Sequence, residues 1–146
     1  MQDLSLHILD VVENSIRAGA TEVNVRLTEN KAENLLILEI VDNGEGMDEA
    51  TRKQCLDPFF TTKERKDVGL GLPLLGQSVE ETGGKLVIES MKGKGTKIIA
   101  TYQLNHIDRR PLGDLEGTIR CLRETHPEID LFYKYENAHS QENDKR

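Results

Sequence analysis

The chain has 146 residues, 31% of them charged and 36% hydrophobic, with a net charge of −7. That length suits one domain with a real apolar core, and the acidic balance argues against a face for nucleic acid. No apolar run approaches the ~20 residues that span a bilayer, and no basic-then-apolar leader is read at the start. A cytoplasmic protein with no membrane partner is therefore expected. Cys55 and Cys121 have neither a CxxC spacing nor histidines around them, and are read as reduced thiols.

The first element is a helix from Leu4 to Arg17. Leu4, Ile8, Leu9, Val11, Val12 and Ile16 fall on one side at ~100° per residue, with Asp10, Glu13, Asn14 and Arg17 on the opposite arc. Val23, Val25 and Leu27 then alternate with polar residues, the pattern of a half-buried strand. Leu35 to Val41 is nearly all apolar and branched, which predicts a central strand ending at Asp42-Asn43-Gly44. A second helix is expected from Asp48 to Cys55, a polar loop from Asp57 to Gly69, and a third helix from Gly71 to Thr82 that stops at Gly83-Gly84.

Two strands follow, Lys85 to Ser90 and Thr96 to Tyr102, joined by the hairpin Lys92-Gly93-Lys94-Gly95. Beyond Leu104 the pattern predicts a short helix from Asp114 to Thr125 and a strand from Asp130 to Tyr135. The polar residues from Glu136 onward have the composition of a disordered tail. Helices and strands alternating around a mixed sheet indicate an α/β sandwich.

Three segments carry candidate chemistry. Asp10-x-x-x-Asn14 puts a carboxylate and an amide one turn apart on one helix face; the pair could bind a metal and activate water, or simply be a solvated face. Asp42-Asn43-Gly44-Glu45-Gly46-Met47 follows the most buried strand. Its glycines would let backbone approach a flat ligand, and its carboxylate could accept from an adenine amino group; otherwise it is a glycine turn. A calcium loop is rejected, because Gly44 and Gly46 bring no side-chain oxygen and Met47 stands where such a loop needs glycine.

The third segment, Gly69-Leu70-Gly71-Leu72-Pro73, lies at the mouth of a predicted helix, where backbone N–H groups suit phosphate. It is not a dinucleotide fingerprint, since Leu74 stands at the third glycine. Nor is it a Walker loop, since no Gly-Lys-Ser/Thr follows.

In this order and at these distances the segments resemble the signature of the GHKL superfamily, the Bergerat-fold ATPases and kinases that include histidine kinases, anti-sigma serine kinases, gyrase, Hsp90 and the mismatch-repair clamps. The resemblance covers roughly Leu4 to Tyr102. Asp10 to Thr21 is similar to the N box, with wording close to that of the mismatch-repair clamps, and Asp42 to Met47 to the first glycine box. Asp57-Pro58-Phe59-Phe60-Thr61-Thr62-Lys63 is similar to the F box of nitrogen-regulatory histidine kinases. Gly69 to Leu72 resembles the second glycine box, and Gly93-Lys94-Gly95-Thr96 the last shared turn.

The resemblance implies a two-layer α/β sandwich with helices on one face of a mixed sheet. With the pattern beyond it, the expected division is a domain over 1–104, a helix-strand extension packed on it over 105–135 and a disordered tail over 136–146. The resemblance also implies ATP and magnesium as cofactors. Asn14 would coordinate the metal, and Asp42 would bind the adenine amino group, directly and through a water shared with Thr96. Gly44, Gly46 and Met47 would wall the adenine pocket, and Phe60 falls among the ATP-binding residues. Lys63, with Arg65 and Lys66, would lie in a lid over the phosphates. Gly69 and Gly71 would let that lid bend, with the N–H groups of Leu70, Gly71 and Leu72 facing phosphate.

Asp10 stands where hydrolytic members and serine kinases place a glutamate base and where histidine kinases commonly have asparagine. It keeps the carboxylate but is one methylene shorter, so its reach to an attacking oxygen is reduced. Glu13, nearer the edge of the polar arc, is a weaker candidate.

The stretch after Tyr102 is too short for the second domain of gyrase or the clamps. His7 lies on the N-box helix and reads as an ordinary helix residue instead of a phosphoacceptor. The expected function is a kinase-like module that passes the ATP γ-phosphate to a histidine or serine on another protein in signalling. A nucleotide-sensing module without transfer and a slow ATPase are the alternatives. A regulated protein partner is expected, and a homodimer is open to it.

Overall fold

The computed structural model describes residues 4–47, 79, 84–103 and 115–138. The predicted second helix, the lid and most of the third helix lie outside those residues. So do Phe60, Lys63, Arg65, Lys66, Gly69, Leu70, Gly71 and Leu72.

Helix α1 (Leu4–Arg17) is followed by strands β1 (Glu22–Asn30), β2 (Leu35–Asp42), β3 (Lys85–Met91) and β4 (Gly95–Gln103), then by helix α2 (Leu115–Thr125) and strand β5 (Asp130–Ala138). The sheet order is β3-β4-β2-β1-β5. All neighbours are antiparallel except β1 and β5, which run parallel.

The apolar β2 is the middle strand, as its composition predicts. Its even-numbered Leu36, Leu38 and Ile40 are buried with Val23, Val25 and Leu27 of β1 and Ile98, Ala100 and Tyr102 of β4. The period-2 alternation sends these side chains to one face, where they meet Ile8, Val11 and Val12 of α1 and Ile119 and Leu122 of α2. On the other face, Val41, Val87 and Phe132 are exposed. The molecule is thus two-layered, with its described helices on one side of a mixed sheet.

Helix α1 is closed two residues past Arg17 by Gly19, whose φ of +88° is in the left-handed region. There Gly19 N–H donates to Ile16 O and Ala20 N–H to Ser15 O, the reciprocal pair that closes a helix C-terminus on a glycine. This closure turns the chain sharply from the N-box helix into β1.

The C-terminal segment is integral to the sheet. Arg123 donates two hydrogen bonds to Leu131 O, and Asp130 N–H donates to Thr21 O at 2.8 Å, which seats β5 beside β1. Glu136, Asn137 and Ala138, read from composition as the start of a tail, are instead in β5, where Thr28, Glu29 and Asn30 are their register partners. Polar composition hides such a strand because its support is a neighbouring backbone. Among the described residues, no helix is long and apolar enough to cross a membrane.

Candidate functional site

Asp42 is the last residue of β2 and is only 9% exposed. A buried carboxylate is costly unless it is hydrogen-bonded. Here Ser15 Oγ of α1 donates to Oδ2 at 2.7 Å, and Gly44 N–H donates to Oδ1 at 2.9 Å. The second contact is the local turn that Asp favours two residues ahead of a backbone N–H. Ser15 was not singled out from sequence, although it was legible as the polar residue continuing the buried arc of Ile8, Val11 and Val12.

The glycine box is strapped to three other segments. Glu45 N–H donates to Ala18 O at the end of α1, and Gly93 N–H of the β3–β4 turn donates to Glu45 O. Met47 N–H donates to Ser90 Oγ at 2.8 Å, and that hydroxyl in turn donates to Gly95 O and pairs with Thr96 Oγ1 at 2.8 Å. Thr96 is the register partner of Asp42 across β2 and β4, so the sheet itself brings these two predicted residues together. Asn43 turns the other way and clamps the entry to β1, accepting from Thr21 N–H and Glu22 N–H and donating to Thr21 Oγ1.

Two glycines are required by close approach as well as by backbone angle. A Cβ on Gly46 (φ +70°) would sit 2.2 Å from Met91 O, and one on Gly95 (φ +100°) 2.1 Å from Asp42 O. Gly44 is less confined, its Cβ falling 3.0 Å from Ala18 O. A cleft of about 340 Å³ opens at this end of the sheet, with Asp42, Ser90, Gly95 and Thr96 in its wall. A larger hollow of about 600 Å³ lies on the other sheet face around Arg26, Glu39 and Phe132, and none of the predicted site residues lines it.

The second cluster is on α1. Asp10 is exposed, and Asn14 lies one turn further along, next in sequence to the Ser15 that holds Asp42. Asn14 Oδ1 accepts from Arg17 Nη2 at 2.5 Å, while its Nδ2 is buried with no hydrogen-bond partner among the described residues. Glu13, the weaker base candidate, is engaged elsewhere: its Oε2 is 3.2 Å from His126 Nε2 at the end of α2. His7 is buried at 2% exposure in the helix-sheet layer. On β5, Tyr133 packs against the core cluster. On the same strand the Tyr135 hydroxyl is pushed up to about 12, chiefly by burial and then by its bond to Glu29.

A family model described as histidine kinase-, DNA gyrase B- and HSP90-like ATPase matches residues 2–106. The chain belongs to this family, and is an ATP-binding domain of the histidine kinase-like kind. The chain is 36% identical over 80 residues to the nitrogen regulation protein NtrY of Azorhizobium caulinodans, covering 54% of this chain and 10% of that one. It is 35% identical over 88 residues to sporulation kinase C of Bacillus subtilis, covering 60% and 20%. It thus spans a tenth to a fifth of these relatives' length.

Among solved structures, the Aquifex aeolicus MutL ATPase domain complexed with ADP superposes with a TM-score of 0.56 at 16% identity, over 92% of this chain and 60% of that one. That likeness concerns the fold. Helix α2 and strand β5 fall beyond the family match, yet β5 completes the sheet and α2 packs on α1.

Proposed function

We propose that this chain binds Mg-ATP and passes its γ-phosphate to an acceptor side chain on another protein, as the catalytic module of a signalling kinase. The observation that carries the reading is Asp42: a buried carboxylate at the end of the central strand, fixed from both oxygens, beside Thr96 and one residue's reach from the Asn14 helix. A preorganised acceptor of this kind suits the amino edge of adenine, because its geometry is set before ligand arrives. The family supports nucleotide binding; transfer and its acceptor are our extension.

The residues present fit magnesium. Asn14 brings a hard carboxamide oxygen, Oδ1, which accepts one hydrogen bond from Arg17 and has a second lone pair to offer a cation. Magnesium keeps several waters and takes its remaining oxygens from substrate phosphates, so one or two protein oxygens suffice. Bound there, it would neutralise phosphate charge. Asp10, one turn away and solvent-exposed, would accept a proton from an attacking hydroxyl, at the limit of its reach. An imidazole acceptor, already nucleophilic at neutral pH, would ask less of it.

Calorimetry tests the binding step. Mg-ATP and Mg-ADP should bind in the micromolar range, about −8 kcal/mol at 1 μM. Asp42→Asn keeps an oxygen for Ser15 but turns an amide toward Gly44 N–H, so the fold should survive while affinity falls by about tenfold or more. Unchanged affinity in Asp42→Asn would reject the pocket. Labelled γ-phosphate ATP incubated with the protein and a lysate of its source cell tests transfer, and absence of any phosphoprotein would leave a nucleotide-sensing module.

A further inference from the structure

Arg17 lies three residues after Asn14, the spacing that stacks side chains on one helix face, and its Nη2 donates to Asn14 Oδ1 at 2.5 Å. Of the two polar atoms of that amide, only Oδ1 has lone pairs to offer a cation; Nδ2 is a donor alone. Nδ2 is also the buried, unpartnered atom. The one atom of Asn14 able to hold a metal is therefore already occupied by a cation of the chain itself.

An oxygen can accept twice, but a metal at about 2.1 Å from it would face the guanidinium at no more than about 4.6 Å, with like charges opposed. Guanidinium and metal are competitors for this oxygen. We propose that Arg17 is a placeholder on the metal-binding oxygen: it holds Asn14 until nucleotide arrives, and entry of the divalent cation displaces it. This rests on the reading of Asn14 as the residue that holds magnesium. It adds a consequence which that reading lacks, namely that the empty site disfavours a bare divalent cation. An entering polyphosphate screens the repulsion and makes the exchange favourable.

Arg17 is exposed and sits in the last turn of α1, where a cation also complements the helix terminus. Its removal should thus leave the fold standing, which thermal unfolding checks. The test measures ADP binding to the full chain by calorimetry across magnesium concentrations, with a chelated, metal-free series beside it. Arg17→Ala should lower the half-saturating magnesium concentration about fivefold, the scale of one exposed hydrogen bond. Its affinity for metal-free ADP should stay within about twofold by the same reasoning.

Arg17→Gln, which removes the charge and keeps helix propensity, should move the midpoint in the same direction, and Arg17→Lys should stay near wild type. In the nucleotide-free protein, Arg17→Ala should also shift the side-chain amide resonances of Asn14. ADP still bound with an unchanged magnesium midpoint in both neutral variants would overturn the Arg17 inference alone. Equal weakening with and without magnesium would overturn it too, and would make Arg17 a direct nucleotide contact. A wild-type protein that binds no ADP at any magnesium concentration would overturn the site reading, and this inference with it.

Discussion

At one end of the candidate site Asp42 has both carboxylate oxygens engaged by its own fold, from Ser15 and from Gly44 N–H. At the other end Asn14 keeps one atom without a partner among the described residues and lends the other to an exposed guanidinium. Yet Asn14 and Ser15 are consecutive residues of one helix. One side of α1 thus contributes to a closed, buried network, and the next residue round contributes to an open one. The difference teaches where each kind of function can sit. A group that recognises a fixed shape gains from being locked before binding, whereas a group that must exchange partners has to be left under-committed.

The largest effect should come from breaking the closed end through its backbone. Gly95→Ala would drive a methyl to 2.1 Å from Asp42 O at a φ of +100°. It should cost at least about 4 kcal/mol, beyond the ordinary range of single substitutions. Gly19→Ala is the control: φ is +88°, but nothing lies within 4 Å of the added carbon. Only the left-handed backbone is penalised there, about 1–2 kcal/mol. Urea unfolding of the two variants should separate them clearly. Equal losses would mean that Asp42 and Gly95 are not held in close approach, and the locked end would lose its physical basis.

The open end should respond in chemistry and scarcely in stability. Asp10→Asn removes a carboxylate from an exposed position, so its unfolding free energy should change by no more than about 0.5 kcal/mol. If the acceptor is a hydroxyl or water, turnover should fall about 10²-fold, the lower end of what a general base contributes, because aspartate reaches less far. For an imidazole acceptor, turnover should hold and Asn14→Ala should be the damaging change. Loss of folding in Asp10→Asn would place that residue in the closed network and dissolve the contrast.

The same contrast governs what the sequence could show. The strands were legible because Val23, Val25, Leu27 and the even-numbered residues of β2 announce a buried face by alternation alone. Asp42, Gly44 and Gly46 were legible because a carboxylate and two glycines after such a strand are few in kind and local in meaning. Their partners were less so, Ser15 showing only as a polar residue on the buried arc of α1. Ser15 and Ser90 meet the Asp42–Met47 loop from 27 and 43 residues away, and nothing local in Ser90 marks it for that role. Arg17 was read only as part of a polar arc, because its bond to Asn14 depends on a rotamer, which helical spacing permits without dictating. Strand β5 was shortened at Glu136 because its last residues are held by β1 instead of by their own composition.

The smallest expected effect concerns the brace behind the open end. Glu13, next to Asn14, is 3.2 Å from His126 Nε2, with side chains 31% and 18% exposed. The contact joins α1 to a segment beyond the family match, and Glu128 lies on the other ring nitrogen at 3.7 Å. A half-buried pair of this kind contributes about 0.5–1 kcal/mol, so His126→Ala should lower unfolding free energy by about that much. If α2 merely supports α1, nucleotide affinity should stay within about twofold, since the Asp42 network makes no contact through Glu13. If affinity instead falls tenfold or more while stability changes as expected, the C-terminal segment sets the position of Asn14. The open end would then be poised from outside the family domain, and the division between its two ends would run along α1 instead of across it.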